Sequence, residues 1–492
     1  MKWPLTFLGP MLFNSIEFAV FLPLVFCIYW LVLGKSIKLQ NLFLLFASYV
    51  FYGWWDPRFL VLIILSTIVD FYIGIGLNKS SSPKTRKSLI ITSIVVNIGI
   101  LFVFKYYGFF VENFIDAFTF FGSQLSLGSL NIILPVGISF YTFQTLSYSI
   151  DVYRRKLEPT TNFISFAAFV SFFPQLVAGP IERATNLLPQ FYKGRIFNYA
   201  QSVDGLRQIL WGLLKKVVIA DNCAEYVNVV FESYQSYEAS SLVIAAFFFS
   251  IQIYCDFSGY SDIAIGTAKL FGFNLMRNFA YPYFSRDISE FWRRWHISLS
   301  TWFRDYLYIP LGGSRGGLNK KIRNTLIIFV VSGFWHGANW TFIVWGVLNA
   351  LYFLPLLLSN RNRLNLDIVA QNSKLPSFKE VTSILLTFSL TTFAWIYFRS
   401  ESVVDANHYI AAIFDTGIFT KPRSLGAERA LISFGSIFIL ILAEWLGRRR
   451  EYPLQDFELH TKPFLRHLTY YAIVLVIFFF SGEQQGFIYF QF

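Results

Sequence analysis

Charge is scarce in this chain. Only 14% of its 492 residues are Asp, Glu, Lys or Arg, against about 25% in an ordinary soluble domain. Cysteine is scarcer: Cys27, Cys223 and Cys255 stand far apart and mostly inside apolar runs, which excludes a disulfide framework and a cysteine-built zinc site. No phosphate loop, dinucleotide glycine fingerprint, zincin helix or G-x-S-x-G elbow occurs. No stretch has the composition of a soluble domain; the longest polar segments are residues 78–87, 193–198, 361–379 and 448–462. Two similar halves are also missing, which weighs against an inverted-repeat transporter.

What is present is apolar. Hydrophobic residues make up 55% of the chain, aromatic residues 20%, and mean hydropathy is +0.50. A membrane-crossing helix needs about 20 apolar residues, and roughly ten to twelve candidate runs occur here. The clearest are 18–33, 39–55, 59–77 (despite Asp70), 89–104, 130–150, 240–255, 384–397, 430–446 and 468–481. The expected fold is all-α and polytopic, one domain over 1–492: N-terminal spans in 11–200, a core in 201–360, and C-terminal spans with an aromatic tail in 361–492.

The net charge of +12 reflects basic residues in short loops between spans, not a nucleic-acid surface. Lys35 and Lys38, then Lys79, Lys84, Arg86 and Lys87, place loops one and three in the cytoplasm and the N-terminus outside by the positive-inside rule. No cleavable signal peptide is expected, since no A-x-A-like site follows the first apolar run. Residues 1–10 sit oddly before Met11-Leu12-Phe13-Asn14, and initiation at either Met1 or Met11 is compatible with the sequence.

Residues 325–358 carry one side chain that titrates near neutral pH, His336, set in Ser332-Gly333-Phe334-Trp335-His336-Gly337-Ala338-Asn339-Trp340. An ionisable group inside an apolar stretch is costly and marks a functional site by default; the plain alternative is a neutral imidazole bonded to a backbone carbonyl. The stretch is too long for one span unless strongly tilted. Gly333 and Gly337 either admit a close neighbouring backbone or mark a break. Asn339 is placed to hold the imidazole tautomer or polarise a carbonyl, or to make an ordinary interhelical bond.

Residues 283–313 mix Arg286, Asp287, Glu290, Arg293, Arg294, His296, Arg304 and Asp305 with Phe291, Trp292, Trp295, Trp302 and Phe303. This is too charged for lipid and too aromatic for a free loop, so a re-entrant or interfacial helix is expected. On one helix, Trp292, His296, Leu299 and Phe303 would share a face. Asp256 and Asp262 flank Ser258-Gly259-Tyr260-Ser261 and read as structural pairing at a span end. His408, His460 and His467 lie in or beside charged loops and read as solvated. Two histidines in apolar surroundings without a nucleophile elbow point to general-base chemistry on a hydroxyl; composition and spacing do not name the substrate.

Trp292-Arg293-Arg294-Trp295-His296-Ile297-Ser298-Leu299-Ser300-Thr301-Trp302, Pro310-Leu311-Gly312-Gly313 and the Ser332–Trp340 motif together resemble the membrane-bound O-acyltransferase family. Met11–Ser15, Pro135–Phe140, Ala178–Ile181 and Asp256–Tyr260 extend the resemblance, which lies closest to the bacterial branch of the alginate O-acetyltransferase membrane subunit. It implies about a dozen spans around a central funnel, with His336 as general base and His296 as its orienting or polarising partner. Trp295, Trp335 and Asn339 stand beside them as supporting residues. It also implies acetyl-coenzyme A as cytoplasmic donor, no permanently bound cofactor or metal, and location in the bacterial cytoplasmic membrane. The acceptor is an exported polysaccharide, reached through an extracytoplasmic SGNH-type acetyltransferase partner. Phe487-Ile488-Tyr489-Phe490-Gln491-Phe492 is similar to the aromatic C-terminal signature of bacterial cell-surface acylation systems, so Tyr489 is either an interfacial anchor or a covalent acyl relay. Peptidoglycan, teichoic acid or a lipid hydroxyl is the alternative acceptor, and a proton-coupled transporter the alternative of another class.

Overall fold

The structure, a computed structural model, describes residues 11–120, 132–423 and 427–490. All regular structure among the described residues is helical. Six helices are long and apolar enough to cross a membrane: Pro57–Lys79, Pro83–Phe120, Ala239–Leu270, Trp340–Leu358, Phe378–Arg399 and Arg429–Gly447. Ile16–Val32, Phe163–Leu176 and Pro463–Phe479 are shorter apolar helices. The run at 130–150 begins partly outside the described residues and has no regular structure through Pro135; its helix, Ile138–Tyr153, starts only after Gly137 turns the chain at φ 73°. The N-terminal segment with Met1, and Gln491 and Phe492 of the tail, lie outside the described residues.

The chain divides into two compact units, residues 1–206 with 264–276 and residues 207–263 with 277–492. In the first unit, Asp70 is fully buried on an apolar span. Ser93 and Ser149 donate their hydroxyls to its carboxyl, each at 2.5 Å, and the Asn97 amide donates at 2.7 Å. A buried carboxyl is tolerated because its acceptor positions are filled.

The second unit is organised around a helical hairpin. Leu318–His336 and Trp340–Leu358 are separate helices, broken at Gly337 where the chain is extended. They approach closely because two glycines face each other. A Cβ on Gly333 would sit 2.2 Å from the Phe342 carbonyl oxygen, and one on Gly346 2.4 Å from that of Phe329; small residues permit this backbone approach where lipid supplies no hydrophobic drive. Asn339 starts the return helix. Its Oδ1 accepts from the Thr341 amide at 3.0 Å and its Nδ2 donates to the Glu401 carbonyl at 2.8 Å. The expectation that Asn339 steadies the imidazole is therefore corrected: it is an N-cap, the usual occupation of Asn at that position.

Candidate active site

His336 ends the first helix of the hairpin and is 3% exposed. Three aromatic rings enclose it: Trp335 at 4.9 Å, Trp345 at 5.1 Å and Phe398 at 5.3 Å between centroids. The fourth neighbour is the tail. Tyr489 Oη lies 3.3 Å from His336 Nδ1, although 153 residues separate them in sequence. With the imidazole proton on Nε2, the phenol donates to Nδ1, which is the geometry of a base beside the hydroxyl it activates.

His296 reaches the same place by a backbone device. The predicted single helix through Trp292 and Phe303 does not form. Ile288–Arg294 and Ile297–Phe303 are separate seven-residue helices. Between them Trp295 is extended and His296 adopts a left-handed conformation, φ 43° and ψ 55°. Such a conformation costs a non-glycine residue of order 1 kcal/mol or more and recurs at functional sites. The charges of this segment are paired off: Glu290, 1% exposed, accepts from Arg286 at 3.0 Å and Arg294 at 2.7 Å.

Asn278 then fixes the His296 tautomer. The hydroxyl and amide of Ser298 donate to Asn278 Oδ1 at 2.9 and 3.3 Å, while Asn278 Nδ2 donates to Ser261 Oγ. Oδ1 is therefore the acceptor, and His296 Nδ1, 3.1 Å away, carries its proton. Burial pushes this imidazole down to about 3, so it is neutral at physiological pH. Its Nε2, a buried lone pair, has no hydrogen-bond partner among the described residues. The ring stands against Phe257 at 4.6 Å, Trp335 at 6.1 Å and Tyr489 at 6.2 Å. Asn278 and Phe257 were not anticipated; a lone Asn beside an apolar run gives no sequence signal of its partner.

A cavity of about 510 Å³ runs along the hairpin. It follows the first helix from Lys321 through Thr325 and Phe329 to Ser332, one turn before His336. Trp292 and Phe303 form its far wall. They pack on Trp345 at 5.7 Å and Trp335 at 6.4 Å, the two rings that flank His336. Through these two pairs of rings that part of the lining connects to the imidazole. Arg304, Lys321 and Arg363 supply positive charge to the lining, and the buried Trp292 Nε1–H has no partner among the described residues. The lining thus combines an apolar wall, a cationic part and an unmet donor.

The family model for membrane-bound O-acyltransferases matches residues 50–365. The chain belongs to this family. It is 38% identical over 452 residues to the probable alginate O-acetylase AlgI of Pseudomonas aeruginosa, covering 90% of this chain and 83% of that protein. It is 34% identical over 425 residues to the peptidoglycan O-acetyltransferase of Helicobacter pylori, covering 80% and 78%. The teichoic acid D-alanyltransferase of Streptococcus thermophilus is more distant, 27% identical over 292 residues, 55% of this chain and 69% of that protein. This protein is accordingly a multi-pass membrane O-acyltransferase, and the transporter alternative falls away.

Of the residues singled out in sequence, His336, His296, Trp335 and Tyr489 meet within the family's motif region and tail. Trp295 packs one layer away, against Trp395 at 5.1 Å and Phe279 at 5.1 Å. His408, His460 and His467 are exposed. The expected result of an alanine series follows: His296→Ala lowers transfer strongly, whereas His408→Ala, His460→Ala and His467→Ala hardly change it. The measurement is glycan acetyl content at matched expression; equal losses across the four would mean that the substitutions act through folding.

Proposed function

We propose that this enzyme moves acetyl groups from acetyl-coenzyme A on the cytoplasmic side to a hydroxyl of an exported polysaccharide, with His336 as general base and Tyr489 as covalent relay. The observation that carries it is the 3.3 Å approach of Tyr489 Oη to His336 Nδ1. The phenol attacks the thioester carbonyl as Nδ1 takes its proton, the carbon–sulfur bond breaks, and the thiolate leaves and takes up a proton. The resulting phenyl ester is a better acyl donor than an alkyl ester, which suits a second transfer to a sugar or partner hydroxyl. His296, neutral and with Nε2 open, accepts a hydrogen bond from that incoming hydroxyl. The cavity beside the hairpin supports the donor assignment, with Arg304, Lys321 and Arg363 facing the phosphates.

The relatives' names support the acceptor class. Their names specify alginate and peptidoglycan, and the shared chemistry is a glycan hydroxyl outside the membrane. An extracytoplasmic acetyltransferase of the SGNH type completes the delivery, and the cytoplasmic membrane of a bacterium is the location. Purified protein incubated with [14C]acetyl-coenzyme A tests the relay: label should remain on the polypeptide as a base-labile ester mapping to Tyr489. Release of acetate or coenzyme A with no label on the chain would count against it.

Orientation has its own test. With residues 78–87 in the cytoplasm, Ser81→Cys in a Cys27→Ser background should resist a membrane-impermeant maleimide in intact cells and react after permeabilisation. Ready labelling of intact cells would invert the arrangement.

A further inference from the structure

The tail does not rest on the site by ring packing alone. Its backbone is held by a buried ion cluster. Lys216, Asp221 and Asp256 are 0%, 1% and 2% exposed. The Lys216 ammonium donates to Asp221 Oδ1 at 2.7 Å and to the carbonyl of tail residue Gln485 at 3.0 Å, and it lies 2.9 Å from Asp256 Oδ1 as an ion pair. The other Asp256 oxygen accepts from the amide of tail residue Ile488 at 2.7 Å. Between these two anchor points Phe487 stacks on Tyr260 at 4.4 Å. Tyr489 is the next residue.

The surrounding fold serves the same contact. Lys216 lies in a π-helical segment, Leu214–Ala220, a local widening common at functional sites. Gly212 and Gly259 bring that segment onto the Ala239–Leu270 helix; a Cβ on Gly212 would sit 2.6 Å from the Gly259 carbonyl oxygen. The tail enters at Gly482, whose amide donates to the Val217 carbonyl at 3.1 Å and whose Cβ, if present, would meet the Asn222 nitrogen at 2.7 Å. A buried ion cluster is a poor source of stability, since apolar replacements are often neutral or better. Two of this cluster's hydrogen bonds instead go to backbone atoms of one short segment, where they set its register.

We propose that Lys216 and Asp256 are positioning residues: they grip the backbone at Gln485 and Ile488 so that the Tyr489 hydroxyl meets His336. This rests on the relay reading for its purpose, and the geometry of the grip stands apart from it. A neighbouring pair provides the control. Lys215 and Asp262 are bonded at 2.6 Å, with further bonds to Ser258 and Gln208, so Asp262→Asn breaks a comparable ion pair without touching the tail.

The experiment is amide hydrogen exchange of tail peptides in the full-length protein, alongside [14C]acetyl transfer onto the chain. Turning a charged acceptor into a neutral amide oxygen weakens a hydrogen bond by roughly a 10-fold change in an equilibrium. Asp256→Asn should speed exchange across residues 482–490 by that order and reduce labelling of Tyr489 in parallel, while Asp262→Asn leaves tail exchange at the wild-type rate. If Asp256→Asn does not fold, Ile488→Pro removes the amide donor, along with the buried Ile488 side chain, and leaves the ion cluster whole; proline is accepted at the first position of a helical turn, and the same loss of labelling is expected. Wild-type tail exchange in folded Asp256→Asn, or equal exchange in both Asp variants, would overturn the grip. Normal transfer in Tyr489→Phe together with a loosened tail in Asp256→Asn would instead remove the relay and leave the grip standing.

Discussion

His336→Ala should abolish acetyl transfer while the protein still inserts and folds. Deletion of a catalytic base typically costs about 10²–10⁴ in rate. The imidazole is buried in a box of Trp335, Trp345 and Phe398, and the tail that meets it through Tyr489 is also held elsewhere. Truncation therefore removes the proton acceptor without leaving the tail unanchored. Truncating a buried side chain of this size also costs a few kcal/mol of stability, so His336→Gln is the companion variant: it fills the volume and keeps a hydrogen-bonding group but cannot act as the base. Both should sit at background in glycan acetyl content and in transfer by purified protein. Normal acetylation in a strain expressing either variant at the wild-type level would refute the assignment.

Much of this was readable in the chain because lipid removes options. Polar residues inside apolar runs are few, so His336 stood out, and a 34-residue apolar stretch had to break. Gly333 and Gly337 read as a close approach or a break, and each is one of these: Gly333 the approach, Gly337 the break. Asn339 stayed open between imidazole support and an ordinary hydrogen bond because both use the same side chain, and only its contacts to the Thr341 amide and the Glu401 carbonyl decide for the second. The helix expected through His296 failed because periodicity is blind to a single left-handed residue. Asp256 and Asp262 read as paired at a span end, but their cations were not legible: Lys216 and Lys215 are buried, and they lie 2.9 and 2.6 Å from those carboxylates. The meeting of residues 336 and 489 is non-local, and no pattern of period 3.6 encodes it. The family resemblance pointed to Tyr489, and the fold supplies the distance.

Tyr489→Phe should eliminate acetylation of the glycan and leave the structure as it is. The substitution keeps the ring that packs on Phe257 at 4.4 Å and on Phe487 at 5.7 Å, and it keeps every backbone bond of the tail. Only the hydroxyl facing His336 Nδ1 disappears. If Tyr489 were an interfacial anchor, the change should fall within about ±0.5 kcal/mol, as surface substitutions usually do, and transfer would be unaltered. If it is the nucleophile, both protein-bound label and glycan acetyl content should drop to background. Tyr489→Ala cannot make this distinction, since it also empties the ring's packing site. Thermal stability should match wild type for Tyr489→Phe, which separates lost chemistry from lost folding. Wild-type glycan acetylation in this variant would mean direct transfer from the thioester to the acceptor, with His336 as base for the acceptor hydroxyl and the tail as a docking element.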